Sequence, residues 1–415
     1  MNTKQCIHPA FAAAWNAGLE VLKPTAAELE HGLELHRSLT VCEHYGFLPS
    51  GWSNKAVEDH NKGLDGRSLS DFGRRLTYLR TISMAETEQG REELVAALDQ
   101  AGVHGMVVPI NDYGEALVDA IQRVAAIQHL FHRFPDRLFG TGSVAGIEQA
   151  KARGATAVIF SLTGMPVFGA GDMLDPAQLL EWVDIWYSLG VRFMHLGYNR
   201  RNLFADGCTE SNDGGLSELG RELVAALNRA GIVVDTPHSS RRALLEACAI
   251  SKAPVISSHV GVSAVHDGPR CKSDDELKAI AETGGYVGIY SVPQLLGPNA
   301  NIALMLRHLE HALKVVGPDH VVIGSDLGYG QPTPNGLKPP DGRWRRTAAG
   351  GWNRNKPLAP SSEDHLQGSL AWTNRPLLTI GLLRLGLTEE EIAKIHFGNL
   401  RRVLTQTEAV REKLQ

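Results

Sequence analysis

Val234-Asp235-Thr236-Pro237-His238-Ser239-Ser240, read together with Ser257-Ser258-His259-Val260, is the stretch that decides the fold. Each half is a short apolar run ending in a histidine: Ile232-Val233-Val234 leads to His238, and Pro254-Val255-Ile256 leads to His259. Residues 239–252 between them read as a helix. The unit is strand–helix–strand, with a histidine at the carboxyl end of each strand. In a parallel α/β barrel those ends converge on one mouth, where active sites sit. Two imidazoles brought together there suit a metal ion. The plainer alternative is two unrelated loop histidines.

Outward from this unit the alternation continues. Strand-like runs precede it at 39–47, 103–110, 157–160 and 191–196, and follow it at 286–290 and 320–324. Helical segments are expected at 177–189, 216–230, 241–250, 274–282 and 303–316. Glycines at 190, 231, 284 and 317 suit their C-terminal caps. Counting from Val41 there are eight strand candidates, which predicts a closed (β/α)8 TIM barrel. An open doubly wound sheet is the runner-up, but no GxGxxG follows a first strand. The expected organisation is a helical extension over 1–38, the barrel over 39–327, a loop over the mouth at 328–361, and C-terminal helices over 362–415 packed on the barrel. Thr25 with Glu28, and Thr388 with Glu391, fit capping boxes.

The chain has 415 residues, 43% of them apolar, enough for a large core. A net charge of -5 argues against nucleic acid or an anionic membrane as the main partner. Five scattered cysteines without a CxxC suggest neither a disulfide framework nor a zinc ribbon. No secretory leader and no bilayer-length apolar run is read, so a cytoplasmic protein is expected.

Four side chains fall at predicted strand ends: His44, His238, His259 and Asp326. A metal held there would bring bound water to a pKa of roughly 7. An aspartate beside that water could take its proton and pass it to a leaving amine. The plainer reading of Asp326 is a turn residue.

From about Thr40 onward the chain resembles the membrane (renal) dipeptidase family, zinc peptidases of the amidohydrolase barrel type. The resemblance is carried by Leu189-Gly190-Val191-Arg192-Phe193, Gly215 to Arg221, Asn228 to Asp235 with His238, Pro254 to His259, Pro269-Arg270, Ile323-Gly324-Ser325-Asp326 and Gly398 to Val403. It implies a dipeptidase-like metallohydrolase acting on an amide or related C–N bond of a small carboxylate-bearing molecule, often as a homodimer. His238 and His259 match the ligands of one zinc and His44 a ligand of the other. Asp326 matches the acid beside the bridging water, and Arg270 the arginine that grips the substrate carboxylate.

The departures from the family are specific. Its first-strand His-x-Asp reads His44-Tyr45-Gly46 here, so one aspartate ligand is missing. Its bridging glutamate is replaced by Thr163. Its fourth-strand histidine is replaced by Tyr198, a serviceable oxyanion donor. Two anionic ligands are gone, so at most one zinc ion per chain is expected, held by His44, His238, His259 and Asp326. Asp206, Glu210 and Glu43 are the places to look for a substitute ligand. Two rivals stand beside this reading. One is a metal-independent reaction with His238 and His259 as acid and base. The other is a catalytically silent, ligand-binding relative. Cys42 shares a strand face with His44, so a thiolate–imidazole pair is weighed against a core cysteine. His195 reads as core or pocket lining. Trp344, Arg345, Arg346 and Trp352 could bind an anionic or aromatic group.

Overall fold

The computed structural model describes residues 7–63, 69–111, 117–166, 176–335, 337 and 364–415. Its centre is a parallel sheet of ten strands: β1 Cys42–Glu43, β2 Gly105–Pro109, β3 Leu138–Gly140, β4 Thr156–Leu162, β5 Val191–His195, β6 Val233–Asp235, β7 Val255–Val262, β8 Cys271–Lys272, β9 Val287–Ile289 and β10 Val321–Ile323. Eight of them follow one another around the barrel as β1-β2-β4-β5-β6-β7-β9-β10, while β3 pairs with β4 and β8 with β7 outside that path. The eight barrel strands are the eight read from the sequence. Between β10 and β1 the seam is bridged by His44 N–H donating to Ile323 O at 3.3 Å and Asp326 N–H donating to Tyr45 O at 2.9 Å. The first strand is shorter than its apolar run suggested, because the chain turns away after Glu43.

Inside the barrel the two-residue period of a strand separates two layers. The lower layer is Cys42, Val107, Ile159, Phe193, Val233, Ile256, Tyr286 and Val322, a continuous buried cluster. Phe397, Leu400, Val403 and Leu404, from the final helix and the turn before it, close it from below. Two residues further along come His44, Pro109, Ser161, His195, Asp235 and Ser258, with Gly288 and Gly324. This upper layer is polar or small, and it lies directly beneath the mouth.

The glycines have a steric cause. A Cβ at Gly288 or at Gly324 would stand 1.9 Å from Ser258 O. The β7 carbonyl presses into the barrel where its pairing with β9 shifts register between Ser257 and Val260. Such irregularities re-aim side chains at sites; this one turns His259 toward the mouth.

The connecting helices start and stop as the sequence implies. Ser240 caps Arg241–Ile250 by accepting from Ala243 N–H, and Gly231 ends Glu218–Ala230 with φ +81°. Both capping boxes, Thr25 with Glu28 and Thr388 with Glu391, form. Among the described residues no helix is long and apolar enough to cross a membrane. Most of the expected 328–361 loop, with Trp344, Arg345, Arg346 and Trp352, lies outside the described residues.

Candidate active site: a bonded pair of histidines

His238 and His259 meet at the mouth, as their positions after β6 and within β7 require. Their Nε2 atoms lie 3.0 Å apart. Asn199 Oδ1, which also accepts from the Cys208 thiol, lies 2.7 Å from His238 Nδ1. An acceptor there puts the proton on Nδ1 and leaves His238 Nε2 as a bare lone pair. His259 Nε2 must then be the donor of the pair, and its Nδ1 accepts from Ser258 Oγ–H at 2.8 Å. The chain of bonds therefore has one direction, from Ser258 through His259 and His238 to Asn199. Burial, followed by the Arg270 guanidinium, holds both imidazoles well below their ordinary pKa. Both are neutral near pH 7.

Two phenols frame the pair. The Tyr198 ring stacks on His238 with centroids 4.1 Å apart, and the Tyr45 ring on His259 at 3.9 Å. Arg270, only 1% exposed, donates Nε to Pro237 O and Nη2 to His259 O. It ties the two histidine-bearing segments together from behind.

His44 and Asp326 do not join this group. His44 Nδ1 bonds Ile323 O at 3.1 Å, and its ring sits edge-on to Tyr286 in the barrel interior. Burial brings its pKa down to about 3. Asp326 adopts a left-handed φ of +55° at the seam, and its charge acts on the Tyr45 phenol. The ring of Tyr45 occupies the middle. It lies over His259 and over His195, and its hydroxyl reaches Thr163 Oγ1 at 3.3 Å. Thr163 in turn donates to Asn111 O, so Tyr45 is the donor to Thr163. Gly46, where the family has its aspartate, is closed to a side chain: a Cβ would stand 2.7 Å from both Glu43 Cγ and Leu327 O.

Other sequence candidates are spoken for. Glu43 is fully buried and accepts from Ser325 N–H and Oγ, Trp372 Nε1 and Arg375 Nη1. Burial holds its carboxyl above the ordinary carboxylate range, and Arg375 and Ser325 offset only part of that rise. Asp206 bonds Arg201, and Glu210 bonds Arg200 and the Arg201 amide. The Cys42 thiol is pushed far up by burial and packs against Gly105, so it forms no thiolate–imidazole pair.

Among the described residues no three His, Cys, Asp or Glu side chains converge to hold a metal ion. A catalytic zinc needs three protein ligands and an open position. The two facing imidazoles are the only part of that set this site assembles from His44, His238, His259 and Asp326. The residues present do not fit the metal centre that the sequence resemblance implies.

Below the pair lies His195, with ring centroids 5.5 Å from both His238 and His259. Its Nε2 is 3.1 Å from Asp235 Oδ2, off the hydrogen-bonding line. His44 Nε2, Ser161 Oγ, both nitrogens of His195, Asp235 Oδ2 and Tyr286 OH are buried without a hydrogen-bond partner. Native interiors hold few such atoms, and this concentration inside the barrel marks a functional region. The sequence reading missed Tyr45, Asn199, Ser258 and Asp235. Asn199 follows Tyr198, and Tyr45 fills the middle position of His-x-Asp, so both stood beside residues already singled out.

A parallel barrel with histidines at the carboxyl ends of its strands defines an amidohydrolase-type architecture. Residues 81–341 match the model of the membrane dipeptidase family (peptidase family M19), and the chain belongs to that family. In structure it is similar to an amidohydrolase from Pseudomonas aeruginosa, with 25% identity, a TM-score of 0.64, and coverage of 91% of this chain and 98% of that one. It shares its fold with the probable dipeptidase PvdM from the same organism, with 18% identity, a TM-score of 0.66, and coverage of 93% and 100%. In sequence it is similar to the dipeptidase tcpJ of Claviceps purpurea, 26% identical over 310 residues, covering 72% of this chain and 64% of that protein. The dipeptidase verJ of Clonostachys rogersoniana is 30% identical over 226 residues, covering 54% and 56%. The matches span between about half and two thirds of these relatives' lengths.

Proposed function

We propose that the protein is a dipeptidase-like hydrolase acting on an amide or related C–N bond of a small carboxylate-bearing molecule, with His238 and His259 doing the proton chemistry that a metal does in its relatives. The directed His259–His238 hydrogen bond carries the reading. A neutral imidazole lone pair is a general base and an adjacent N–H a hydrogen-bond donor once the bond between them is broken. Substrate and water displace that His259–His238 bond on entry, which frees the lone pair and the donor. His238 Nε2 takes the proton of the attacking water and returns it to the leaving nitrogen. His259 Nε2–H and the Tyr198 hydroxyl steady the oxyanion. Arg270 carries the positive charge that favours a substrate carboxylate. A cytoplasmic homodimer belongs to the same proposal.

The test is hydrolysis of a panel of dipeptides and N-acylated amino acids by protein purified without metal, with and without chelator and added zinc. Turnover unchanged by chelation supports the proposal. Turnover lost to chelator and restored by zinc, with one ion per chain by elemental analysis, returns the site to the single-metal mechanism.

A further inference from the structure

The face of the barrel opposite the mouth carries a cavity of about 330 Å³. It lies where the chain enters β2 and β4, against the helices Ala26–Ser38 and Glu88–Ala101. Side chains on that face usually serve stability rather than chemistry. These are arranged differently. Gln100 lines the cavity at 7% exposure, and its Nε2 has no hydrogen-bond partner. Arg137 lines it too; its Nη2 holds Asp99, while its Nε is likewise buried and unpartnered. Arg37 and His104 add further donors, and Leu98 supplies an apolar wall. A buried amide donor left without an acceptor is costly, and a native fold keeps one where something supplies the acceptor. Two guanidinium groups face one carboxylate, so the cavity also has a positive balance. Its volume suits a small molecule.

We infer that this cavity binds a small molecule carrying an oxyanion on a partly apolar body, at a site separate from the mouth. The oxyanion accepts from Gln100 Nε2 and Arg137 Nε, and the apolar part lies along Leu98. Carboxylate and phosphate share this chemistry, and the probes below separate them.

Isothermal titration of the full chain with 4-methylpentanoate, which has no C–N bond to hydrolyse, and with acetate and inorganic phosphate tests the inference. 4-Methylpentanoate is expected to bind saturably and more tightly than acetate. Gln100→Glu, nearly the same in shape, replaces the donor by an acceptor and adds a negative charge. It should weaken binding about tenfold or more. Arg37→Met, at an exposed position, should weaken it about threefold and serves if Gln100→Glu fails to fold. His259→Ala should leave this binding unchanged. Phosphate binding more tightly than 4-methylpentanoate, with the same response to Gln100→Glu, assigns a phosphate-bearing ligand. The inference fails if none of the three probes saturates. It also fails if Gln100→Glu binds like the parent, or if His259→Ala abolishes binding.

Discussion

The mouth of the barrel has two halves, and they have been treated differently. On the β6–β7 side His238 and His259 keep their places, are bonded to each other, and are fixed at their outer nitrogens by Asn199 and Ser258. On the β1–β10 side His44 is tied to a backbone carbonyl and Asp326 faces a phenol. Tyr45 lies between the halves with its ring on His259. A two-metal centre needs anionic ligands between its ions. Here the space for them is taken by an aromatic ring, and the position of one ligand is closed to any side chain. The intact half keeps oriented acid–base groups, and the other half has become scaffold.

If the β1–β10 side is scaffold, its main fastening is the buried Glu43–Arg375 pair, 2.7 Å long with Glu43 fully buried. Arg375→Met leaves a buried carboxylate uncompensated and should cost about 3–5 kcal/mol in urea unfolding. A loss under 1 kcal/mol would show that Ser325 and Trp372 suffice to hold Glu43.

The intact half should carry the chemistry. His238→Ala or His259→Ala should lower kcat/KM by about 100-fold or more on whichever panel substrate is turned over. His44→Gln should stay within about tenfold of the parent. Equal losses at all three positions would erase the distinction between the halves.

Acid separates scaffold from site through stability. The pKa of His44 is held at about 3, chiefly by burial, below the ordinary value of 6.5. The unfolded chain therefore takes a proton that the folded chain refuses. Stability is full above pH 6.5 and falls as pH drops toward 3. From pH 7 to pH 5 this one group should cost about 2 kcal/mol. His44→Gln can still donate to Ile323 O and should remove that part of the slope of stability against pH. An unchanged slope would place the acid sensitivity elsewhere, with His36, also near 3, the next group to replace.

The smallest effect is expected at the divider. Tyr45→Phe removes only the bond to Thr163 and should cost about 1 kcal/mol. A gain of zinc binding in that variant would show that the hydroxyl, rather than the ring, keeps the centre closed.

The barrel was legible because each strand is a buried apolar run bounded by a helix with its own cap, and these signals are local. The histidine pair was legible for the same reason: each ring ends such a run. What could not be read depends on partners far away in sequence. Glu43 looked like a spare ligand, because nothing near it announces Arg375, Trp372 or Ser325. Tyr45 looked like a spacer, because its contacts with His195, His259 and Thr163 exist only once the barrel closes. The register shift in β7 leaves no mark within β7 itself. Its trace is a pair of glycines on other strands, Gly288 and Gly324.

The Glu43–Arg375 pair also bears on the order of events during synthesis. Its members are 332 residues apart. The first barrel strand leaves the ribosome long before the guanidinium that neutralises its carboxylate, and contacts of such separation form slowly. Burying Glu43 without its partner would leave an uncompensated carboxylate in the apolar interior, so β1 is expected to stay hydrated until β10 and the helix Arg375–Arg384 arrive. The same ion pair that fastens the seam of the finished barrel would then delay its closing, and the mouth, which straddles that seam, is expected among the last parts of the molecule to form.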